Sequence, residues 1–403
     1  MSTVNTRILD ILDIKTAIKE IEKINRDTTK LNMFTEKSLY KAVKILDLSV
    51  RAANLLREEA LIIGAEAIVS PDVAMFNTTK SDVLILATLY QYKLLCYNLQ
   101  TKEFGLDRVG ESIKQTLHRY NNEYPIFKKG NYSFDFNKNK YIMGILNITP
   151  DSFFDGGKYN NVDLAIKRAI EMKNEGADII DIGAESTRPG AKILTEQEEL
   201  DRVVPIIERL NKEVDIAISI DTYKSSVAEE ALKNGAIIVN DITGLKGDKK
   251  IAEVISDHDA IAIIMHIKGD VSSMHETKEY NDLIEDICID FKNSINIAEI
   301  AGIRNSNIII DPGIGFSKTL SQNYEIINKL KELKSLGYPI LVGGSRKSFI
   351  GKILNEEVED RLIGSLAVAA IAIKNGASIL RVHDVKETKK VIKILDTIEN
   401  GVK

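Results

Sequence analysis

Glu175-Gly176-Ala177-Asp178-Ile179-Ile180 returns, little changed, as Asn234-Gly235-Ala236-Ile237-Ile238-Val239 and again as Asn375-Gly376-Ala377-Ser378-Ile379-Leu380. Each copy follows a helix-periodic stretch and leads into apolar residues. A glycine placed there ends a helix in the left-handed conformation, and the chain drops into a buried strand. Working outward from these copies, apolar runs recur at 141–146, 178–182, 216–220, 236–239, 260–265, 307–310, 339–342 and 378–382. Helical periodicity separates them at Val162 to Lys173, Thr195 to Leu210, Leu283 to Ala301, Tyr324 to Leu333 and Arg361 to Lys374. Eight strand–loop–helix units over ~260 residues predict an α/β fold, a (β/α)8 TIM barrel. A doubly wound open sheet is the alternative. No Gly-x-Gly-x-x-Gly follows the first strand, which argues against dinucleotide binding.

The residues ahead of the repeats have a different texture. Of 24 glycines only Gly64, Gly105 and Gly110 precede residue 126, and of seven prolines only Pro71 and Pro125 do. Ile14 to Ile24 and Ser38 to Ala60 carry apolar residues at helical spacing, Glu66 to Ser70 and Asp82 to Ala87 read as short strands, and Leu89 to Leu99 and Leu106 to Tyr120 as helices. Residues 1–125 are therefore expected to form a small α/β accessory domain, 126–140 a linker and hairpin, and 141–403 the barrel. In the linker Tyr132, Phe134 and Phe136 alternate with polar residues, which predicts a strand pairing with Tyr141–Leu146 across a turn at Asn137–Lys140. Its aromatic face would cover one end of the barrel.

Composition excludes several classes. At 403 residues, 44% hydrophobic and 28% charged, the chain has ample core for two domains. A net charge of -5 disfavours a nucleic-acid backbone as partner. Cys96 and Cys288 are far apart and fit neither a disulfide framework nor a zinc site. With a polar start and no apolar stretch of spanning length, a cytoplasmic protein is expected.

Barrel enzymes work at the C-terminal ends of their strands. Following each apolar run in turn stand Asn147, Glu185-Ser186-Thr187-Arg188-Pro189-Gly190, Asp221-Thr222, Asn240-Asp241, Met265-His266, Asp311-Pro312-Gly313, Gly343-Gly344-Ser345-Arg346-Lys347-Ser348 and Arg381 with His383-Asp384. Arg188, Lys347, Arg381 and His383, with Gly-rich loops and a helix start at Ser348, suit an anion, and the usual barrel phosphate site follows strands 7 and 8. Asp221, Asn240 and Asp311 suit the edge of a flat heterocycle bearing amino, ring N–H and carbonyl groups. Taken singly, Asp241 and Asp384 read as helix caps, and Asp181, inside a strand pattern, as a structural carboxylate. The residues alone describe a barrel enzyme acting on a phosphorylated or diphosphorylated small molecule with a polar ring.

Six stretches, Asn147–Gly157, Asp181–Ala191, Ser219–Thr222, Asp311–Phe316, Ser345–Gly351 and Arg381–Val385, closely resemble the dihydropteroate synthases of the pterin-binding family, in the family's order. The resemblance covers Tyr132 to the C-terminus and implies a folate-pathway transferase. Such an enzyme joins 6-hydroxymethyl-7,8-dihydropterin diphosphate to 4-aminobenzoate, giving 7,8-dihydropteroate and diphosphate. By position it implies that Asp221, Asn240, Asp311 and Lys347 grip the pterin, with Met265 packing on it. Arg381 and His383 would hold the diphosphate, with Asn147 reaching it through Mg²⁺. Phe153, Thr187, Arg188, Pro189, Phe316, Lys347 and Ser348 would form the 4-aminobenzoate pocket. Asp155, Asp221, Lys347 and Arg381 would take the catalytic parts, and a homodimer is implied. Phe154, Ala184, Val271 and Gly344 depart from the commonest family pattern, none at an inferred catalytic position. Residues 1–125 resemble an N-terminal extension of some bacterial synthases, which gives them no role. A corrinoid-linked methyltransferase on the same barrel would need neither Thr187-Arg188-Pro189 nor Ser345-Arg346-Lys347-Ser348, and a non-catalytic paralogue would not need the intact Asn147, Asp221, Asp311, Lys347 and Arg381.

Overall fold

The structure is a computed structural model that describes residues 5–25, 27–121, 123–148, 158–185, 194–274 and 276–402, with backbone alone at 158–161. Phe153, Asp155, Thr187, Arg188 and Pro189 lie outside the described residues.

The chain divides into two compact units, Met1–Asn121 and Asn122–Lys403. The first contains α1 (Ile14–Glu22), α2 (Leu31–Ser38), β1 (Tyr40–Ser49), α3 (Val50–Ile62), β2 (Glu66–Val69), α4 (Pro71–Ala74), β3 (Lys80–Thr88), α5 (Leu89–Leu99) and α6 (Leu106–Asn121). The strands form an antiparallel sheet in the order β1-β3-β2. Its core is Leu56, Val83, Ile85, Tyr92, Leu95, Leu99, Leu106 and their neighbours, and the Tyr92 hydroxyl donates to Ile85 O at 2.7 Å. The helical reading of Ser38 to Ala60 is corrected here: Tyr40–Ser49 is strand, and helix begins at Val50. The cause is a β-bulge between Ile45 and Leu48, with Asp47 at φ 58. The extra residue breaks the period of two and leaves Ile45 and Leu48 at helical spacing.

The second unit opens with a hairpin, β4 (Phe127–Lys129) and β5 (Tyr132–Phe134), closed by Gly130-Asn131. With Gly130 at φ 55 the connection is a two-residue turn that wants glycine first. Tyr132–Phe134 therefore pairs with Phe127–Lys129, and the expected pairing with Tyr141–Leu146 is wrong. The expected aromatic cover is present. Phe127, Phe134, Phe136 and Tyr141 are buried together with Met143, Ile179, Ala217, Ile238, Ile261, Ile309, Leu341 and Ile379, whose side chains fill the barrel interior.

The barrel strands are β6 (Tyr141–Asn147), β7 (Ile179–Gly183), β8 (Ala217–Asp221), β9 (Ile238–Asp241), β10 (Ile261–Met265), β11 (Ile308–Asp311), β12 (Leu341–Val342) and β13 (Ile379–Val382). All pairings are parallel in the order β11-β10-β9-β8-β7-β6-β13-β12, and a parallel bridge between Ile310 and Ile340 joins the two ends. The sheet is closed, so the open-sheet alternative falls. Helices α7 (Lys158–Glu175), α8 (Glu196–Glu213), α9 (Ser225–Lys233), α10 (Ile251–Asp257), α11 (Leu283–Ile300), α12 (Leu320–Lys329), α13 (Ser348–Leu354), α14 (Leu362–Lys374) and α15 (Val385–Asn400) connect them. The repeated glycines act as expected: Gly176, Gly235 and Gly376 have φ 106, 118 and 104. The following alanine N–H bonds back to Met172 O, Ala231 O and Ala372 O at 2.9, 3.0 and 2.9 Å. These are Schellman closures, and each delivers its strand to the barrel at the same place.

Candidate functional site

Strand alternation decides what reaches the mouth of the barrel. Register pairs Asp181 with Ser219, Asp221 with Asn240, Met265 with Asp311, and Arg381 with Met143. Two residues beyond the apolar layer of Ile179, Ile238, Ile309 and Ile379 stand Asp181, Asn240, Asp311 and Arg381, which the period of two brings to the same interior.

Arg381 is the centre. Its Nε donates to Asp181 Oδ2 and its Nη2 to Asp221 Oδ2, both at 2.6 Å. Asn240 Nδ2 donates to Asp181 Oδ2 at 3.2 Å. Burial works against the Arg381 charge, but the two carboxylates outweigh it and raise its pKa. Asp221 is pushed up to about 7 by burial, against the pull of Arg381 and with Asp181 adding to the rise. Asp311 is also raised by burial, opposed by Lys347, and its Oδ1 accepts Gly313 N at 2.8 Å. Two glycines keep space beside these groups. A Cβ at Gly183 would lie 3.4 Å from Asp221 Cβ, and one at Gly343 3.9 Å from Arg381 Cβ and 4.0 Å from Asp311 Oδ2.

Lys347 stands just ahead of α13 without a side-chain cap on it, donates to Ile314 O and lies 4.1 Å from the centre of the Phe316 ring. Burial lowers its pKa to about 8. Phe316 packs with Ile242, Met265, Ile267 and Met274 in an apolar wall. The loop that carries Phe316 is wound around Lys318, a buried lysine whose Nζ donates to Gly313 O (3.1 Å) and Phe316 O (3.0 Å) and meets His266 Nδ1 (3.1 Å). Burial pulls Lys318 down to about 7, and burial beside that lysine holds His266 well below its ordinary value. Gly313 has φ 67, and a Cβ there would fall 2.0 Å from His266 O, so only glycine fits the turn.

The remaining expected residues are dispersed around this centre. Asn147, the last residue of β6, is exposed, as is Ser348, the first of α13. His383 is exposed, with Nδ1 3.1 Å from Ser345 Oγ. Arg346 turns away from Lys347 and grips Asp384 with Nε and Nη2 at 2.9 and 2.7 Å. Asp384 makes no side-chain cap on α15, so the capping reading is corrected to an ion pair. Asp241 holds a turn, not a helix start, accepting from Thr243 N, Thr243 Oγ1 and Leu245 N, each at 2.7 Å.

Sequence reasoning passed over three features. Asp181 was read as structural, yet it contacts Arg381 and Asn240 directly. Lys318 was not singled out, and no local pattern marks a lysine two residues after an aromatic as buried. Lys224 joins Glu185 (2.8 Å), Glu199 (2.6 Å) and Leu194 O (2.9 Å), and Glu185 also accepts Leu194 N at 3.1 Å. Glu185 and Leu194 bracket the stretch that carries Thr187, Arg188 and Pro189. Among the described residues no three His, Cys, Asp or Glu side chains group as a metal site.

A closed barrel with carboxylates and an amide around one guanidinium, an apolar wall and a lysine over an aromatic ring can hold a flat polar heterocycle. Residues 143–383 match the profile of the family described as pterin binding enzyme. The chain belongs to that family. The dihydropteroate synthase of Clostridium beijerinckii is 50% identical over 272 residues, which is 67% of this chain and 98% of that protein. A crystal structure of a dihydropteroate synthase from Clostridium difficile, in the presence of pteroic acid, has 50% identity and a TM-score of 0.63, covering 66% of this chain and 98% of that one. A probable bifunctional folylpolyglutamate synthase/dihydropteroate synthase of Halobacterium salinarum is 36% identical over 373 residues, 91% of this chain and 44% of that protein. Those 373 residues exceed the unit from Asn122 to Lys403, so this likeness runs into the first unit.

Proposed function

We propose that the pterin-binding barrel grips a dihydropterin diphosphate through Asp221, Asn240, Asp311 and Lys347, releases diphosphate first, and then lets 4-aminobenzoate attack. The overall reaction is that of the dihydropteroate synthases of folate synthesis, and this chain is an enzyme of that class. The observation that carries the residue assignment is the pairing of Arg381 with both Asp181 and Asp221 at 2.6 Å, beside Asn240. Carboxylates fixed by a cation are acceptors for amino and ring N–H groups, and they stabilise positive charge that grows on the ring.

Loss of diphosphate leaves a resonance-stabilised cation at the pterin methylene. The aryl amine that captures it is already a free nucleophile, so the site needs no strong base. Phe316 and Lys347, with Ser348 at the start of α13, would face 4-aminobenzoate, joined by Phe153, Thr187, Arg188 and Pro189. Asp155 would help to stabilise the reacting pterin. Arg381 and His383 would hold the diphosphate. The exposed amide of Asn147 at the end of β6 is a hard oxygen donor of the kind Mg²⁺ accepts alongside waters and phosphate oxygens. Mg²⁺ held there would neutralise charge on the departing diphosphate. The homodimer belongs to the same proposal, supported by exposed Ile363 and Ile371 on α14 and Ile394 and Ile398 on α15.

Asp221→Asn tests the grip, because it keeps the shape and removes the charge. A charge-assisted hydrogen bond is worth ~1.5–3 kcal/mol, so the affinity for the pterin diphosphate, measured by titration calorimetry, should fall at least ~10-fold. Unchanged affinity would remove Asp221 from the site.

A further inference from the structure

Asp181 is 0% exposed, in the middle of β7 and beneath the mouth of the barrel. A carboxylate buried there is stable only with a cation beside it. Arg381 supplies one, and the contact is made by Nε, not by the end of the side chain. Asp221 takes Nη2 on the same guanidinium. Two carboxylates on two different strands thus fix the plane of a rigid, planar cation.

The same Asp181 oxygen also decides how Asn240 is turned. A carboxylate only accepts hydrogen bonds, so the Asn240 atom facing it at 3.2 Å is the NH2 group, which leaves the amide oxygen of Asn240 as its acceptor for a ligand. Asp181 Oδ1 makes no hydrogen bond among the described residues, so every contact found for this carboxylate goes to Arg381 and Asn240. Asn240 belongs to the proposed pterin grip, and Arg381, proposed to hold the diphosphate, also pairs with Asp221 of that grip.

We propose that Asp181 is a positioning residue for pterin binding: it sets the plane of Arg381 and the orientation of the Asn240 amide, and by sharing Arg381 it leaves Asp221 able to turn its carboxylate to the ligand. This rests on the reading of Asp221 and Asn240 as part of the pterin grip, with Arg381 beside them. Without the Asp181 charge, Arg381 would lean on Asp221 alone and compete with the pterin for it. The charged groups bearing on Asp221 include Asp181 on β7, Asp241 on β9, Glu199 on α8, Arg381 on β13 and Lys347 at the start of α13. Removing Asp181 takes away a like charge and strengthens the hold of Arg381, and both changes make Asp221 easier to ionise.

The test compares Asp181→Asn with the unaltered full-length enzyme, using dihydropterin diphosphate and 4-aminobenzoate as probes. Pterin diphosphate should bind ~10-fold more weakly or worse, while KM for 4-aminobenzoate at saturating pterin stays within about twofold. The acid limb of kcat/KM for the pterin should move to lower pH, which a merely structural residue would not cause. Asp181→Glu, which keeps the charge, should recover part of the affinity, and it carries the comparison if the asparagine variant does not fold. The proposal is overturned if pterin affinity and the acid limb are unmoved, or if both substrates weaken alike. Asp221→Asn run in parallel isolates the underlying reading: if that variant binds pterin normally, the grip itself is misplaced and Asp181 has nothing to position.

Discussion

At the residue scale the site is a balance of buried and half-buried charges: Asp181, Asp221 and Asp311 against Arg381, Lys347 and Lys318. Three of them, Asp221, Lys318 and Lys347, titrate near neutrality, and two of these, Asp221 and Lys347, belong to the proposed pterin grip and shift in opposite senses. Asp221, raised to about 7, is a carboxylate only above that pH. Lys347, lowered to about 8, is an ammonium only below that pH. The form with both charges is therefore most populated between the two values. We predict a bell-shaped pH profile of kcat/KM for the pterin diphosphate, falling as Asp221 gains a proton on the acid side and as Lys347 loses one on the alkaline side. A profile flat from about pH 6 to about pH 9 would contradict this. Asp221, Asn240 and Asp311 were legible because each directly follows an apolar run, Lys347 because it lies in the glycine-rich loop after one, and Arg381 because the polar pair His383-Asp384 follows it closely. Asp181 holds the same place in run 178–182 as Arg381 does in 378–382, but a carboxylate there reads as structural until its partner is known, and that partner, Arg381, is 200 residues away.

At the element scale the aromatic hairpin shows what pattern alone can and cannot fix. Alternation at Tyr132, Phe134 and Phe136 revealed an apolar face, and that face does cover the end of the barrel. It could not reveal the partner strand, because Phe127–Lys129 is too short to read as a strand by itself. Phe134 packs on Phe127 at 6.1 Å, on Phe136 at 6.1 Å and edge-on to Tyr141 at 5.1 Å between ring centres. Removing a buried Phe side chain costs about 3–5 kcal/mol. Phe134→Ala should lower the stability of the barrel unit by that amount in urea titration, with pterin affinity unchanged in the folded protein. A loss below about 1 kcal/mol would mean the hairpin is an ornament and not a cover. Elsewhere local signals decide the helix ends, including the start of α12 at Leu320, four residues ahead of the expected Tyr324. Thr195 and Thr319 form capping boxes with Glu198 and Gln322, and the three Gly-Ala copies close their helices as their sequence requires.

At the scale of the whole molecule the barrel was readable because its repeat is a consequence of its architecture: every unit must leave a helix, enter a buried strand and emerge at the same mouth. Closure was expected from the count of eight units, while the joining contact itself, Ile310 with Ile340, is a single bridge beside a strand of two residues that no local pattern marks. The first unit was harder. It has few turn glycines to punctuate it, and its longest strand carries a bulge that mimics helical spacing. Its own apolar core makes it a body in its own right, and the likeness to the halobacterial protein extends into it. The proposed function requires the barrel to join two substrates, and product formation tests that most directly. The full-length chain is supplied with 6-hydroxymethyl-7,8-dihydropterin diphosphate, 4-aminobenzoate and Mg²⁺, and both 7,8-dihydropteroate and diphosphate are quantified with time. The account predicts equal amounts of the two products and no dihydropteroate when 4-aminobenzoate is left out. Tight binding of the pterin diphosphate with no dihydropteroate formed would contradict it.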